Sequence, residues 1–541
     1  MSSHRTFIKG AAILALAGVT VRFIGAVMRI VLAALMGDEG IGLYQMAYPI
    51  YSTLLAISTA GIPVAISKLV AENIALRDYR EARRVFRIST AILTLSGLVI
   101  AIILAAGANF TAVVIVKEPR AVYPLLAIAP AIFFVTIMSA IRGFFQGQQR
   151  MGPTALSQFV EQVARVVVAI VLVLVLLPVG LEYAAAGAAA GAVAGGMAGL
   201  LLLIILNLRE RKRFNRLVQR QPARHRPASR WTIIKRIFSL AIPITFGSLI
   251  MPLSTTLDLA VVPRRLQDAG FTPERATALY GQLTGMASSV IYFPSVVTMA
   301  LSMSLVPAIS EAFVLKQRRL ITSRTSVAIK LTVLFAFPAA VGLYLLAEPI
   351  TILLFNNAEA GYPLAVMSWS LIPLCLYITT TGIMQGLGRP ALPVINMAVG
   401  ALVKVVLAWF LTAIPELHVG GAGWASVVSM IVAALLNLYY IARLTEWRFR
   451  WWELVISPGL SVAAMSAAVI LFFKIASQVG GAHLSFRVAN AVATLGAIIV
   501  GVVIYGVALL VSGSLTREEL EQIPRYGERL AEIARRLRLI K

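Results

Sequence analysis

Long apolar runs separated by short polar segments follow one another from residue 10 to residue 511. They fall at about 10–36, 43–69, 87–107, 121–141, 154–177, 184–206, 237–262, 280–309, 327–347, 363–386, 391–413, 420–442, 454–474 and 488–511. Each is near the roughly 17–25 residues with which a helix crosses a hydrocarbon core about 30 Å thick. Membrane strands are shorter and alternate in polarity, whereas these runs are continuous and rich in Leu, Ala and Val. A backbone in lipid must satisfy its own hydrogen bonds. The pattern therefore predicts an all-α integral membrane protein with fourteen transmembrane helices.

Composition removes the soluble alternatives. Of 541 residues 59% are hydrophobic and 13% charged, about half the charge that soluble proteins usually carry. The net charge of +25 would point to nucleic acid in a soluble chain. Here, however, the bases sit in the loops on one side: 34 Lys and Arg lie in the loops on the amino-terminal side against 6 in the alternate loops. That bias predicts both termini in the cytoplasm and no nucleic-acid partner. The first apolar run is too long for a cleavable signal and is expected to stay as a span. Cys375 is the sole cysteine, and the four histidines are scattered, so no disulfide, thiolate cluster or metal-ligand spacing is implied. No Walker loop, Gly-rich strand-to-helix turn or nucleophile elbow occurs. The expectation is a non-enzyme without a cofactor.

The chain also repeats itself. Gln146-Gly147-Gln148-Gln149-Arg150, then Pro153 and Arg165, is echoed by Gln385-Gly386-Leu387-Gly388-Arg389, then Pro393 and Lys404. Gln146 and Gln385, Arg150 and Arg389, and Arg165 and Lys404 are all 239 residues apart. Ala65-Ile66-Ser67 after Pro63 reappears as Ala308-Ile309-Ser310 after Pro307. Halves of six spans share one orientation and predict a parallel repeat. The expected organisation is a lobe at 1–206, a basic cytoplasmic linker at 207–236, a second lobe at 237–442, two added helices within 454–511, and an amphipathic tail at 512–541 lying on anionic lipid.

Polar groups inside spans are expensive in lipid and usually face a cavity or a partner. Arg22 and Arg29 lie two turns apart on one stripe of the first span, where they await an anion, snorkel, or pair with a distant acid. Glu161 and Arg165 are one turn apart in the fifth span and can pair along it. Lys404, the repeat mate of Arg165, has Gly400 where Glu161 would be and so lacks an evident local counter-ion. Asp258, near the outer end of span seven, can pair with Arg264 or Arg265 as an interface pair or a gate. Gly187, Gly191, Gly195 and Gly199 form a small-residue face for close helix packing. Prolines, among them Pro49, Pro130, Pro294 and Pro338, supply kinks.

The segment Gly37-Asp38-Glu39-Gly40-Ile41-Gly42-Leu43-Tyr44-Gln45-Met46-Ala47-Tyr48-Pro49-Ile50-Tyr51, followed by Gly61-Ile62-Pro63-Val64-Ala65-Ile66-Ser67-Lys68, resembles a known branch of transporters. This is the stage V sporulation protein B and polysaccharide-exporter branch of the multidrug/oligosaccharidyl-lipid/polysaccharide superfamily, which includes MurJ-type lipid II flippases. The likeness extends over the whole chain. It implies essential arginines in the first span, matched by Arg22 and Arg29, and a cationic cavity enclosed by two lobes. The eighth span departs from the flippase pattern, reading Thr284-Gly285-Met286-Ala287 ahead of Pro294 without a base.

The expectation is a flippase of the bacterial cytoplasmic membrane, acting as a monomer by alternating access on an undecaprenyl-pyrophosphate-linked precursor, either lipid II or a related polysaccharide intermediate. Arg22, Arg29, Arg165, Lys404 and Glu161 are its expected substrate-binding residues, with Asp258 and Arg264 at the outer mouth. The alternative is a cation-coupled multidrug antiporter. Its cavity would expose acids, yet only Glu161 and Asp258 fall within the expected spans.

Overall fold

The computed structural model describes residues 2–59, 61–221, 229–483 and 485–512. Among them every regular element is a helix and none is a strand. The chain divides into two compact units, residues 1–285 and 286–541.

The first unit contains α1 (Ser2–Thr59), α2 (Ile62–Ala75), α3 (Tyr79–Phe110), α4 (Val122–Gly147), α5 (Gly152–Leu176), α6 (Leu181–Arg220), α7 (Arg230–Asp268) and α8 (Pro273–Gly281). The second contains α9 (Ser288–Val314), α10 (Arg318–Leu345), α11 (Ala347–Phe355), α12 (Gly361–Ser368), α13 (Leu371–Gly386), α14 (Ala391–Leu411), α15 (His418–Thr445), α16 (Ser457–His483) and α17 (Phe486–Val511). Several starts carry the side-chain acceptors that orphan amide groups need. Asp78 accepts from the Glu81 amide, Ser229 from Thr232 and Thr272 from Arg275.

Among the described residues twelve helices are long and apolar enough to cross a membrane, or thirteen if α12 and α13, bent by 47°, make one span. Fourteen were expected, and the difference has a place. One of the twelve, Ala17–Ala75, takes in both α1 and α2 and is 59 residues long. At about 1.5 Å per residue it is about 90 Å long, some three times a hydrocarbon core. Gly37 breaks α1 with φ 72° and ψ −171°, a conformation that suits a residue without a Cβ. Within the expected linker at 207–236 the chain is helical to Arg220 and again from Arg230. Residues 222–228 of that linker, and all but the first residue of the expected tail, lie outside the described residues.

The glycine face of α6 packs on α5. A Cβ on Gly187, Gly191, Gly195 or Gly199 would come within 2.6 to 2.9 Å of Leu172, Arg165 and Ala169, Glu161, or Met138. The repeat is visible in the packing of each unit by itself. In the first, Gly143 and Gly147 on α4 abut the carbonyls of Pro63 and Ser67 on α2. In the second, Gly382 and Gly386 on α13 abut those of Ser302 and Val306 on α9. Cys375 is fully buried in α13.

Candidate functional site

Residues four apart on a helix share a face, and α5 sets Ser157, Glu161 and Arg165 in such a row. Glu161 joins two arginines. Its Oε1 accepts from Arg165 Nη2 at 3.0 Å and its Oε2 from Arg142 Nη2 at 2.9 Å. Arg142 Nε also donates to Ser157 Oγ at 2.9 Å. The side chains of Arg142, Glu161 and Arg165 are 14%, 15% and 13% exposed. Against their backs comes the glycine stripe of α6, with Gly195 touching the Glu161 carbonyl and the Arg165 Cβ. The pairing of Glu161 with Arg165 follows from their spacing. The expected span at 121–141 stops short of Arg142, but α4 continues to Gly147.

The second wall is α1. Tyr44, Tyr48 and Tyr51 form a ladder with ring centroids 6.2 and 5.9 Å apart. The Arg29 guanidinium lies 5.7 Å from the centre of the Tyr48 ring, within cation–π range. The charges of Arg29 and Arg165 both act on Tyr44, so the two arginines share one electrostatic neighbourhood. Further along, a Cβ on Gly25 would lie 3.3 Å from Gln162 Nε2 of α5. Arg29 is half-buried and Arg22 exposed. Three cations, Arg29, Arg142 and Arg165, and one carboxylate thus lie on α1, α4 and α5, a surplus suited to an anion with oxygen acceptors.

The other expected residues lie elsewhere. Lys404 is on α14 in the second unit, half-buried and not without an interaction partner. Gly400 abuts the Ser429 carbonyl of α15. Asp258 is half-buried on α7, and its charge acts on the buried Tyr280. Arg264 is exposed, and Arg265 is bonded to Asp268 at 2.9 Å.

A further polar cluster holds the kink of α1. Asp38 accepts from Gln282 Nε2 at 2.7 Å. Arg120 reaches Glu39 at 2.6 Å and Glu118 at 2.9 Å, and Thr277 donates to Glu118 at 3.0 Å. Burial alone would raise the Glu118 carboxyl, but the bonds from Arg120, its charge, and the Thr277 hydroxyl outweigh that and hold it below the usual carboxylate range. Gly42 and Gly281 permit the contact, since a Cβ on either would collide with the backbone of Thr277 or Asp38. The run of glycines and acids at 37–42 is the signal that marks this cluster in the sequence.

An all-helical chain with at least twelve membrane-length helices and cations gathered within its bundle is a multi-span membrane transporter. Residues 7–313 match the family described as polysaccharide biosynthesis protein, and residues 281–410 match MatE. The chain belongs to the polysaccharide biosynthesis protein family. It is 33% identical over 530 residues to stage V sporulation protein B of Bacillus subtilis (strain 168), covering 97% of this chain and 99% of that one. With the lipid II flippase MurJ of the same organism it shares 26% identity over 496 residues, covering 89% and 90%. A solved structure of the lipid II flippase MurJ in an inward closed conformation matches with a TM-score of 0.64 at 14% identity, covering 92% of this chain and 97% of that one. That last likeness concerns the fold alone.

Proposed function

We propose that this transporter flips an undecaprenyl-pyrophosphate-linked cell-wall precursor, lipid II or a related polysaccharide intermediate, to the outer leaflet of the bacterial cytoplasmic membrane by alternating access. The observation that carries this reading is the ionic bridge of Arg142 and Arg165 on a single carboxylate, Glu161, with Arg29 held over the tyrosine ladder of α1. In it Arg29, with Arg22 at the rim, supplies the planar donors that suit pyrophosphate. Arg165 and Arg142 are held by Glu161 and set the field of the site. Lys404 serves as the weaker cation of the repeat, and Asp258 with Arg264 as the outer mouth. The charge bias of the loops supports cytoplasmic termini. The length of Ala17–Ala75 and its break at Gly37 support two crossings there. Two six-helix lobes at 1–206 and 237–442, and a monomer, complete the reading.

The test is export of labelled lipid-linked precursor in a host depleted of its own flippases. This chain should restore the outer-leaflet signal, and an unchanged cytoplasmic signal at normal protein level would overturn the assignment. The match of residues 281–410 to MatE favours a second reading, a cation-coupled multidrug antiporter. Against it, the spans offer few acids, and Glu161 is already bonded to two arginines. Proton- or sodium-dependent drug resistance conferred by the chain would reverse the order.

A further inference from the structure

A cavity of about 430 Å³ opens in the first unit where α3 begins and α4 ends against the carboxy-terminal part of α6. That volume lies in the range of small-molecule sites. The floor is aromatic. Phe86 stacks on Phe144 at 4.3 Å, and Phe214 meets the edges of Phe144 at 5.4 Å and Tyr79 at 6.0 Å. The rim holds Arg83, Arg87 and Arg211, with the amides of Gln148, Asn207 and Asn215 between them.

Neighbouring bases are neutralised, but these three are not. Arg84 is bonded to Glu81 and Arg150 to Glu210. Among the described residues no ion pair falls on Arg83, Arg87 or Arg211. Arg83 instead feels the charges of the other two. The one carboxylate of the lining, Glu210, is bonded to Arg150, so the three like charges repel one another, and a multivalent anion removes that repulsion. The walls are also fixed. Gln221, just past α6, is bonded to Asp78 and to the Arg80 amide at the start of α3. At the other side Arg150 of the α4 hairpin is bonded to Glu210 of α6. The arginines therefore stand ready before a ligand arrives.

We propose that this cavity binds a phosphate-bearing molecule, with the phosphate held by Arg83, Arg87 and Arg211 and an apolar portion laid on the Phe86, Phe144 and Phe214 floor. Guanidinium forks match phosphate oxygens pairwise, and the apolar floor adds area for the apolar portion of a ligand that has one. One phosphate chemistry can reach this site from two sources, an anionic phospholipid headgroup or a free phosphate compound. The site is separate from the proposed transport function and is tested by binding rather than transport.

The experiment uses the full chain in detergent. Native mass spectrometry counts added phosphatidylglycerol against phosphatidylcholine, and a thermal shift without lipid reads inorganic pyrophosphate. Wild type should retain phosphatidylglycerol, and the Arg83→Ala, Arg87→Ala, Arg211→Ala triple variant should lose roughly tenfold or more in retention, given the strength of charged hydrogen bonds. A control triple at exposed arginines elsewhere, Arg318→Ala, Arg319→Ala and Arg448→Ala, should match wild type. A shift with pyrophosphate that the first triple abolishes, without a lipid preference, supports the site and assigns the free compound as its source. Equal retention by wild type and the first triple in both arms, or equal loss by the control, overturns the proposal. Should the Ala triple fail to fold, the Lys triple takes its place. It keeps the charge and loses the fork, so retention equal to wild type would overturn the site as described.

Discussion

Positions 239 residues apart in the two units carry the same packing and opposite chemistry. Gly143 and Gly147 press α4 against α2, and Gly382 and Gly386 press α13 against α9 in the same way. On that shared frame Arg142, Ser157, Glu161 and Arg165 of the first unit stand where the second has Thr381, Asn396, Gly400 and Lys404. The first set makes a buried ionic bridge. The second unit relies on neutral bonds: Asn396 Nδ2 donates to Asn437 at 2.8 Å, Asn437 Nδ2 to Thr380 at 2.9 Å, and the Thr332 and Thr379 hydroxyls meet at 2.7 Å. Amides and hydroxyls join helices without the desolvation cost of buried charges, and buried ion pairs are often no better than neutral replacements for stability. Stability alone therefore does not account for the ionic version in the first unit, which fits the proposed anion site.

The sharpest way to break this comparison is Glu161→Ala. Removing the carboxylate leaves Arg142 and Arg165 buried without it, a loss of about 3–5 kcal/mol where one partner of a buried pair is deleted. Thermal unfolding in detergent should fall steeply, and precursor export with it. Arg29→Ala should abolish export while leaving protein level and thermal stability near wild type, since the substitution removes a costly cation from a span. Arg29→Lys should rescue in part, because a point ammonium lacks the fork. Wild-type export by Arg29→Ala, measured with the flippase-depleted host, would show that the α1 cation is only structural.

On the neutral side, Asn437→Ala should cost about 1–3 kcal/mol by stranding the buried Asn396 amide. It should alter the melting temperature more than export, and the reverse would make the second unit the chemical half. The smallest effect concerns Glu118. Its carboxyl titrates below the ordinary range when folded, so its stabilising contribution is present above the unfolded pKa and is lost as pH falls through the lower folded value. Glu118→Gln should therefore melt below wild type at neutral pH, with the gap closing on acidification through that window. A gap independent of pH would assign Glu118 a role unrelated to its charge.

Which features could be read in advance follows from the range of the forces behind them. Spans, the Glu161–Arg165 pair, the α6 glycine face and the 239-residue register all rest on local periodicity. Arg142 was missed as a partner because hydropathy declines at Gly143 and beyond, while backbone hydrogen bonding carries α4 to Gly147. The bend between α12 and α13 lies inside one apolar run, and hydropathy contains no information about backbone direction. The bond between Glu118 and Thr277 joins residues 159 apart, and the aromatic cavity draws on four helices. Such groupings exist only once the helices have packed.

The burial of Cys375 has a practical consequence. A lone thiol with 0% exposure is shielded from water-borne maleimides, so the wild-type chain already provides a silent background for labelling. Single cysteines introduced at Arg22, Arg264 or Lys316 would then report sidedness in intact cells through membrane-impermeant reagents, with no native thiol to be mutated away first.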